Sequence, residues 1–91
     1  MYISRSEYRI EFTSQGARDL RKLSRRDQRR VAARIDALAR DPRPPGVEKL
    51  KGGHDIWRIR VGTLRVLYTI SQQIVTVTVV RISHRREAYR R

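Results

Sequence analysis

The chain has 91 residues, of which 38% are hydrophobic and 34% are charged, a balance that suits one small globular domain over residues 1–91. The formal net charge is +13, and 19 of the 22 basic residues are arginine, whose guanidinium binds phosphate through two hydrogen bonds. The lack of cysteine excludes disulfides and thiolate metal sites, and no apolar run reaches the roughly 20 residues that span a bilayer. We therefore expect a cytoplasmic protein without metal or cofactor that binds a polyanion: RNA, DNA or an acidic protein.

The first half of the chain predicts one strand followed by two helices. Residues 8–12 alternate apolar and polar side chains, which is typical of a strand. Thr13 or Ser14 can cap a first short helix, and Ser24 can cap a second that runs to about Arg40. The two apolar stripes have helical spacing and consist of Ala17, Leu20 and Leu23, then Val31, Ile35, Leu38 and Ala39. Helices joined so closely should pack as an antiparallel hairpin.

The second half predicts four strands, at residues 47–51, 57–61, 64–68 and 74–82. Strict alternation in the last strand places Val75, Val77 and Val79 on one face and Ile74, Thr76, Thr78, Val80 and Ile82 on the other. Apolar residues on both faces indicate a central strand. The predicted fold is α+β, in the order β-α-α-β-β-β-β, with the helix hairpin on one face of a mainly antiparallel sheet.

The strongest local signal is a hairpin centred on Gly62-Thr63, where glycine in first position favours a type II′ turn. This register places Arg60 opposite Arg65, on an open face that also carries Arg58. Because like charges directly opposite each other destabilise a sheet, the pattern suggests a polyanion that lies between them.

The side chains available for catalysis narrow the reaction class. The chain has no paired carboxylates of the glycosidase kind and no nucleophilic Ser or Cys motif, which leaves Arg, Lys, His and Tyr. That set suits metal-independent cleavage of RNA, because RNA supplies its own 2′-hydroxyl nucleophile and guanidinium groups can neutralise the charge that develops on phosphorus. His84 or Tyr89 could move protons.

A set of motifs in a specific order resembles the RelE/ParE superfamily of toxins from bacterial type II toxin–antitoxin systems. They cover nearly the whole chain: residues 8–12, Ala17 to Leu23, Pro42-Arg43-Pro44, residues 49–52, 57–62 and 64–68, and His84 to Tyr89. The resemblance implies the fold already predicted, a small antiparallel sheet with two N-terminal helices.

The RelE branch of that superfamily implies a ribosome-dependent mRNA endonuclease. By this resemblance Arg60 and Arg65 hold the scissile phosphate, Arg85 assists the leaving oxygen, and Tyr89 or Arg58 handles the 2′-hydroxyl proton. Since arginine is a poor base at neutral pH, Tyr89, or His84 as an auxiliary residue, is favoured over Arg58 as the group that accepts the 2′-hydroxyl proton. Further RNA-binding residues are Lys49, Lys51 and Arg86, which supplement Arg58 and Arg60.

Two other functions remain open for this sequence. One is a ParE-like toxin that inhibits DNA gyrase without cutting RNA, and the other is a non-catalytic RNA-binding module. The arginines of the second helix are either a solvated face or a contact for ribosomal RNA or an acidic antitoxin. The expected partners are a cognate antitoxin, in a hetero-oligomer, and the ribosome with its mRNA, but no membrane.

Overall fold

Among the residues that the structure describes, five strands form one mixed sheet in the order β1-β5-β4-β3-β2. The computed structural model describes residues 7–52 and 55–84. Its elements are β1 (Arg9–Phe12), α1 (Ser14–Lys22), α2 (Arg25–Ala37), β2 (Glu48–Lys49), β3 (Ile56–Val61), β4 (Leu64–Ser71) and β5 (Thr76–His84). β1 runs parallel to β5, and the other neighbouring strands are antiparallel. The predicted α+β class and element order are confirmed.

Both helices begin at capping residues that the sequence predicts. The Thr13 hydroxyl accepts a hydrogen bond from the Gly16 amide at 3.0 Å, and the Ser24 hydroxyl accepts one from the Asp27 amide at 3.1 Å. α2 ends at Ala37 and the chain then turns through Arg40, so the second helix is slightly shorter than expected. Neither described helix is long and apolar enough to cross a bilayer.

The core lies between α2 and one face of the sheet. The predicted stripe of α2 is fully buried at Val31, Ile35 and Leu38. It meets buried side chains from three strands: Ile59, Val61, Leu64, Val66, Tyr68, Val77, Val79 and Ile82. β5 lies between β1 and β4, which confirms the prediction of a central position for the last strand. The opposite sheet face carries polar side chains, among them Arg60, Arg65 and Ser83.

Two predictions for the last strand are wrong. The strand begins at Thr76, because Val75 has a positive φ of 50° within the preceding turn and Ile74 is 69% exposed. Ile82 lies on the core face with Val79, because a β-bulge shifts the β4–β5 register between Leu67 and Tyr68 and reverses the alternation beyond it.

Candidate nucleic-acid interface

Arg60 and Arg65 lie directly opposite each other on the sheet face away from the core. They are Cα partners in the β3–β4 register, which confirms the register predicted from the Gly62-Thr63 turn. Gly62 has a φ of 63°, as the first position of a type II′ turn requires. Arg65 also pairs with Ser83 on the next strand, so Arg60, Arg65 and Ser83 form one row across three strands.

The two arginines of this row differ in exposure. Arg60 is exposed, whereas Arg65 is only 4% exposed, so the arginine face is not open throughout as expected. The physical reason is position, because β4 is the middle strand of five and its side chains have neighbours on both sides. A buried guanidinium carries a desolvation cost that an exposed one avoids, and its electrostatic attraction for an anion is screened less by solvent.

Arg58 occupies a different position on the same face. Its side chain is 14% exposed and forms an ion pair with Glu48, its cross-strand partner on β2. Arg58 and Arg60 are two residues apart, so they share a face, but this acid neutralises Arg58 locally. The ion pair with Glu48 therefore distinguishes Arg58 from Arg60, which is exposed on the same face.

Lys49 does not join the arginine row. It pairs with Trp57, so it lies toward the helix-covered face. Its ammonium lies 3.1 Å from an Asp55 carboxylate oxygen and 5.7 Å from the centre of the Trp57 ring, which Arg43 approaches to 4.9 Å. Lys51 is exposed in the bend that follows β2. Lys49 therefore lies apart from the arginine row, on the other face of the sheet.

His84 also faces away from the arginine row. Its register partner is Leu64, a core residue, whereas Ser83 is the residue that pairs with Arg65. The imidazole is exposed at the end of β5 and lines a cleft beside α1. Arg85, Arg86 and Tyr89 lie outside the described residues, so their roles stay predictions.

The cleft between α1 and the end of β5 contains residues that sequence reasoning missed. It has a volume of about 430 Å³, and its polar lining includes Gln15, Asp19, Lys22, Arg81, Ser83 and His84. Asp19 is buried at 8% exposure, accepts a hydrogen bond from the Ile82 amide at 2.9 Å and lies 3.6 Å from the Nε of Arg81. The sequence pattern that indicates this position is the spacing of Asp19, three residues after Gly16 and four before Leu23, which places all three on one side of α1.

Comparison with known proteins relates this arrangement to one toxin family. Residues 10–89 match the family model described as the ParE toxin of type II toxin–antitoxin systems, parDE. The toxin RelG of Mycobacterium tuberculosis is 34% identical over 88 residues, which cover 92% of this chain and 98% of RelG.

Solved toxin structures share the fold. The RelBE2 toxin–antitoxin complex of M. tuberculosis gives a TM-score of 0.77 at 31% identity, covering 86% of this chain and 98% of the matched chain. The archaeal RelE–RelB complex of Pyrococcus horikoshii gives 0.76 at 27% identity, covering 87% and 96%. The intact RelBE complex of Escherichia coli, at 22% identity, has a TM-score of 0.75 and covers 85% and 95%, which shows the same fold. The chain belongs to the RelE/ParE family of type II toxin–antitoxin toxins.

Proposed function

We propose that this toxin is an endoribonuclease that cleaves mRNA on the ribosome by metal-independent attack of the RNA 2′-hydroxyl. The observation that carries the proposal is the row formed by Arg60, Arg65 and Ser83, in which two guanidinium groups share one sheet face beside a hydroxyl. Like charges facing each other across two strands destabilise the sheet, and a bound phosphate would relieve that repulsion.

The row suits phosphate binding in two steps. Exposed Arg60 can meet the RNA backbone first, and buried Arg65 then offers its charge where solvent screens it least. As the 2′-oxygen bonds to phosphorus, negative charge grows on the non-bridging oxygens, and both guanidinium groups stabilise it. The bond from phosphorus to the 5′-oxygen then breaks, which leaves a 2′,3′-cyclic phosphate and a 5′-hydroxyl.

Two protons move in this reaction: the 2′-hydroxyl loses one and the departing 5′-oxygen gains one. Arginine suits charge stabilisation and not proton abstraction. His84 faces away from the row, so we assign proton transfer to Tyr89 and assistance of the leaving oxygen to Arg85, the roles that the family resemblance implies.

We further propose that an antitoxin neutralises this chain by covering the basic interface. The M. tuberculosis, P. horikoshii and E. coli relatives were each solved with an antitoxin. A net charge of +13 favours an acidic partner segment, which would compete with RNA for the same arginines.

The deciding experiment expresses wild type, Arg65→Ala and Arg9→Ala briefly in bacteria and maps new RNA ends. Arg9 is an exposed arginine of β1 that pairs with Thr76, at the opposite end of β5 from Ser83, and so is the control. We expect cuts inside translated codons for wild type and Arg9→Ala, and neither cuts nor growth arrest for Arg65→Ala.

The same experiment separates the rival functions. Intact mRNA together with DNA damage would support a ParE-like gyrase inhibitor, and growth arrest by Arg65→Ala at the wild-type level would refute the proposed site. Antitoxin binding by Arg65→Ala confirms that the variant folds. Cleavage by the purified protein should also survive a chelator when free magnesium is held at the level that keeps ribosomes intact.

A further inference from the structure

We propose that Asp19 is a positioning residue of the toxin, which holds the end of β5 so that Ser83 stays in register with Arg65. This inference rests on the proposed endonuclease function and adds a residue of α1 to it. At the edge of the sheet, β1 is too short to pair with the whole of β5.

β5 is paired with β4 as far as His84, but its pairing with β1 ends well before the candidate site. β1 stops at Phe12, whose partner is Val79, so β5 continues for five more residues without a strand from residues 7–52 or 55–84 on that side. A free edge at this point would leave backbone groups without partners and would allow the strand end to move. These last residues include Ser83, which stands beside Arg65.

The N-cap residue of α1, Thr13, and a residue within α1, Asp19, bind the backbone of β5 along this edge. The Thr13 hydroxyl donates to the Val80 carbonyl at 3.2 Å, and Asp19 accepts from the Ile82 amide at 2.9 Å. Each contact supplies what a neighbouring backbone would have supplied, first a donor and then an acceptor. Of these two contacts, the one made by Asp19 is nearer to Ser83, because Ile82 directly precedes Ser83 in β5.

The Asp19 carboxylate is itself fixed on both oxygens. Gln15 donates to Oδ1 at 2.7 Å from one helical turn earlier. Oδ2 receives the Ile82 amide and also lies 3.6 Å from Nε of Arg81. The buried Asp19 carboxylate thus contacts the Gln15 side chain of α1, the Ile82 amide of β5 and the Arg81 side chain.

The consequence is specific to the rate of cleavage. Loss of Asp19 leaves the Ile82 amide without its acceptor and removes the restraint on one side of a strand end that stays paired with β4 on the other, but it removes none of the arginines that attract RNA. Because Ser83 is the neighbour of Arg65 in the row, a shift of the strand end also shifts the surroundings of the Arg65 guanidinium, and a displacement of about 1 Å in such a group can reduce a rate by about 10²-fold. Ribosome binding, which depends on charge spread over the surface, should change little.

The test measures ribosome affinity and single-turnover cleavage separately for wild type, Asp19→Ala, Asp19→Asn and Asp36→Ala. Asp36 is an exposed acid on α2 and controls for the change in net charge. We expect Asp19→Ala to cleave about 100-fold more slowly at nearly unchanged affinity. Asp19→Asn keeps a carbonyl oxygen for the Ile82 amide and should recover most of the rate.

Several outcomes would overturn the inference. Wild-type cleavage by Asp19→Ala refutes it, as does a rate that falls only in proportion to the unfolded fraction. If Asp19→Ala does not fold, Asp19→Glu, which moves the carboxylate by one methylene, should lose at least about tenfold in rate by the same displacement effect, and a wild-type rate refutes the positioning role. A wild-type protein that cuts no mRNA refutes the proposed function, and this inference with it.

Discussion

Replacement of Gly16 by alanine tests whether α1 is pressed against β5. Gly16 is buried in the first turn of α1, where its backbone approaches the Val79 carbonyl. A β-carbon at this position would lie 2.4 Å from the Val79 oxygen and 3.1 Å from its carbon, and both atoms belong to backbone. The sheet cannot yield as a flexible side chain could, so α1 must move.

Two opposing effects set the magnitude. Alanine is a better helix former than glycine and would stabilise the protein by up to about 1 kcal/mol. Normal contact begins at 3.4 Å, so α1 must retreat by about 1 Å, which is overpacking that costs about 1 to 3 kcal/mol. The retreat also stretches the hydrogen bonds from Thr13 to Val80 and from Ile82 to Asp19, each worth about 1 kcal/mol. We expect a net loss of about 2 to 3 kcal/mol.

Urea and thermal unfolding of the purified toxin measure this loss. For a domain of this size the expected change corresponds to a fall in Tm of about 10 to 20 °C. Gly46→Ala is the control, because Gly46 has a φ of 88° but nothing near its β-carbon, so it should lose only about 1 kcal/mol of backbone strain. A Gly16→Ala variant that is as stable as wild type, or more stable, would show that helix propensity dominates and that α1 does not press on β5.

Three further predictions concern stability and RNA binding. Tyr68 donates to the Pro42 carbonyl at 2.7 Å, and burial raises the pKa of Tyr68 to about 12. The free energy of unfolding should therefore keep the full contribution of the neutral Tyr68 below pH 10 and lose about 2 to 3 kcal/mol of it as the pH rises toward 12. Tyr68→Phe should lower the free energy of unfolding by about 1 kcal/mol in urea titrations at neutral pH and should show less of this decline at alkaline pH. Val75→Asn should raise the Tm by several degrees, because a β-branched residue at φ 50° is strained and asparagine tolerates that region, and a lower Tm would mean that the Val75 side chain matters more than its backbone. If exposed Arg26 and Arg29 of α2 contact ribosomal RNA, the double alanine variant should reduce the slope of log affinity against log salt by about 2, whereas an unchanged slope would identify a solvated face.

Local sequence signals predicted the parts of the fold that depend on near neighbours in the chain. The β3–β4 register follows from Gly62, because a tight turn that begins with glycine leaves one pairing for the flanking strands. The helix starts follow from Thr13 and Ser24, whose hydroxyls accept from amides three residues later. In each case the deciding contact spans a few residues, so a short pattern contains it.

The misplaced residues depend on contacts between distant parts of the chain. Ile82 changes face because of a bulge, which arises from how β5 fits β4 and not from alternation within β5. Arg65 is buried because β4 has neighbours on both sides, and the hairpin alone does not determine the number of strands beyond it. Lys49 separates from the arginines because its strand pairs it with Trp57 on the other face.

A pattern of charges in the sequence predicts the arginines of this site but not Asp19. An arginine-rich face can be recognised from sequence because its members repeat on one side of a hairpin. The residue that orients the neighbouring strand carries the opposite charge and lies 63 residues away from its hydrogen-bond partner Ile82. The stability of the α1–β5 contact and the geometry beside Arg65 therefore depend on the same carboxylate, and substitutions in α1 should affect cleavage although α1 contributes no residue to the arginine row.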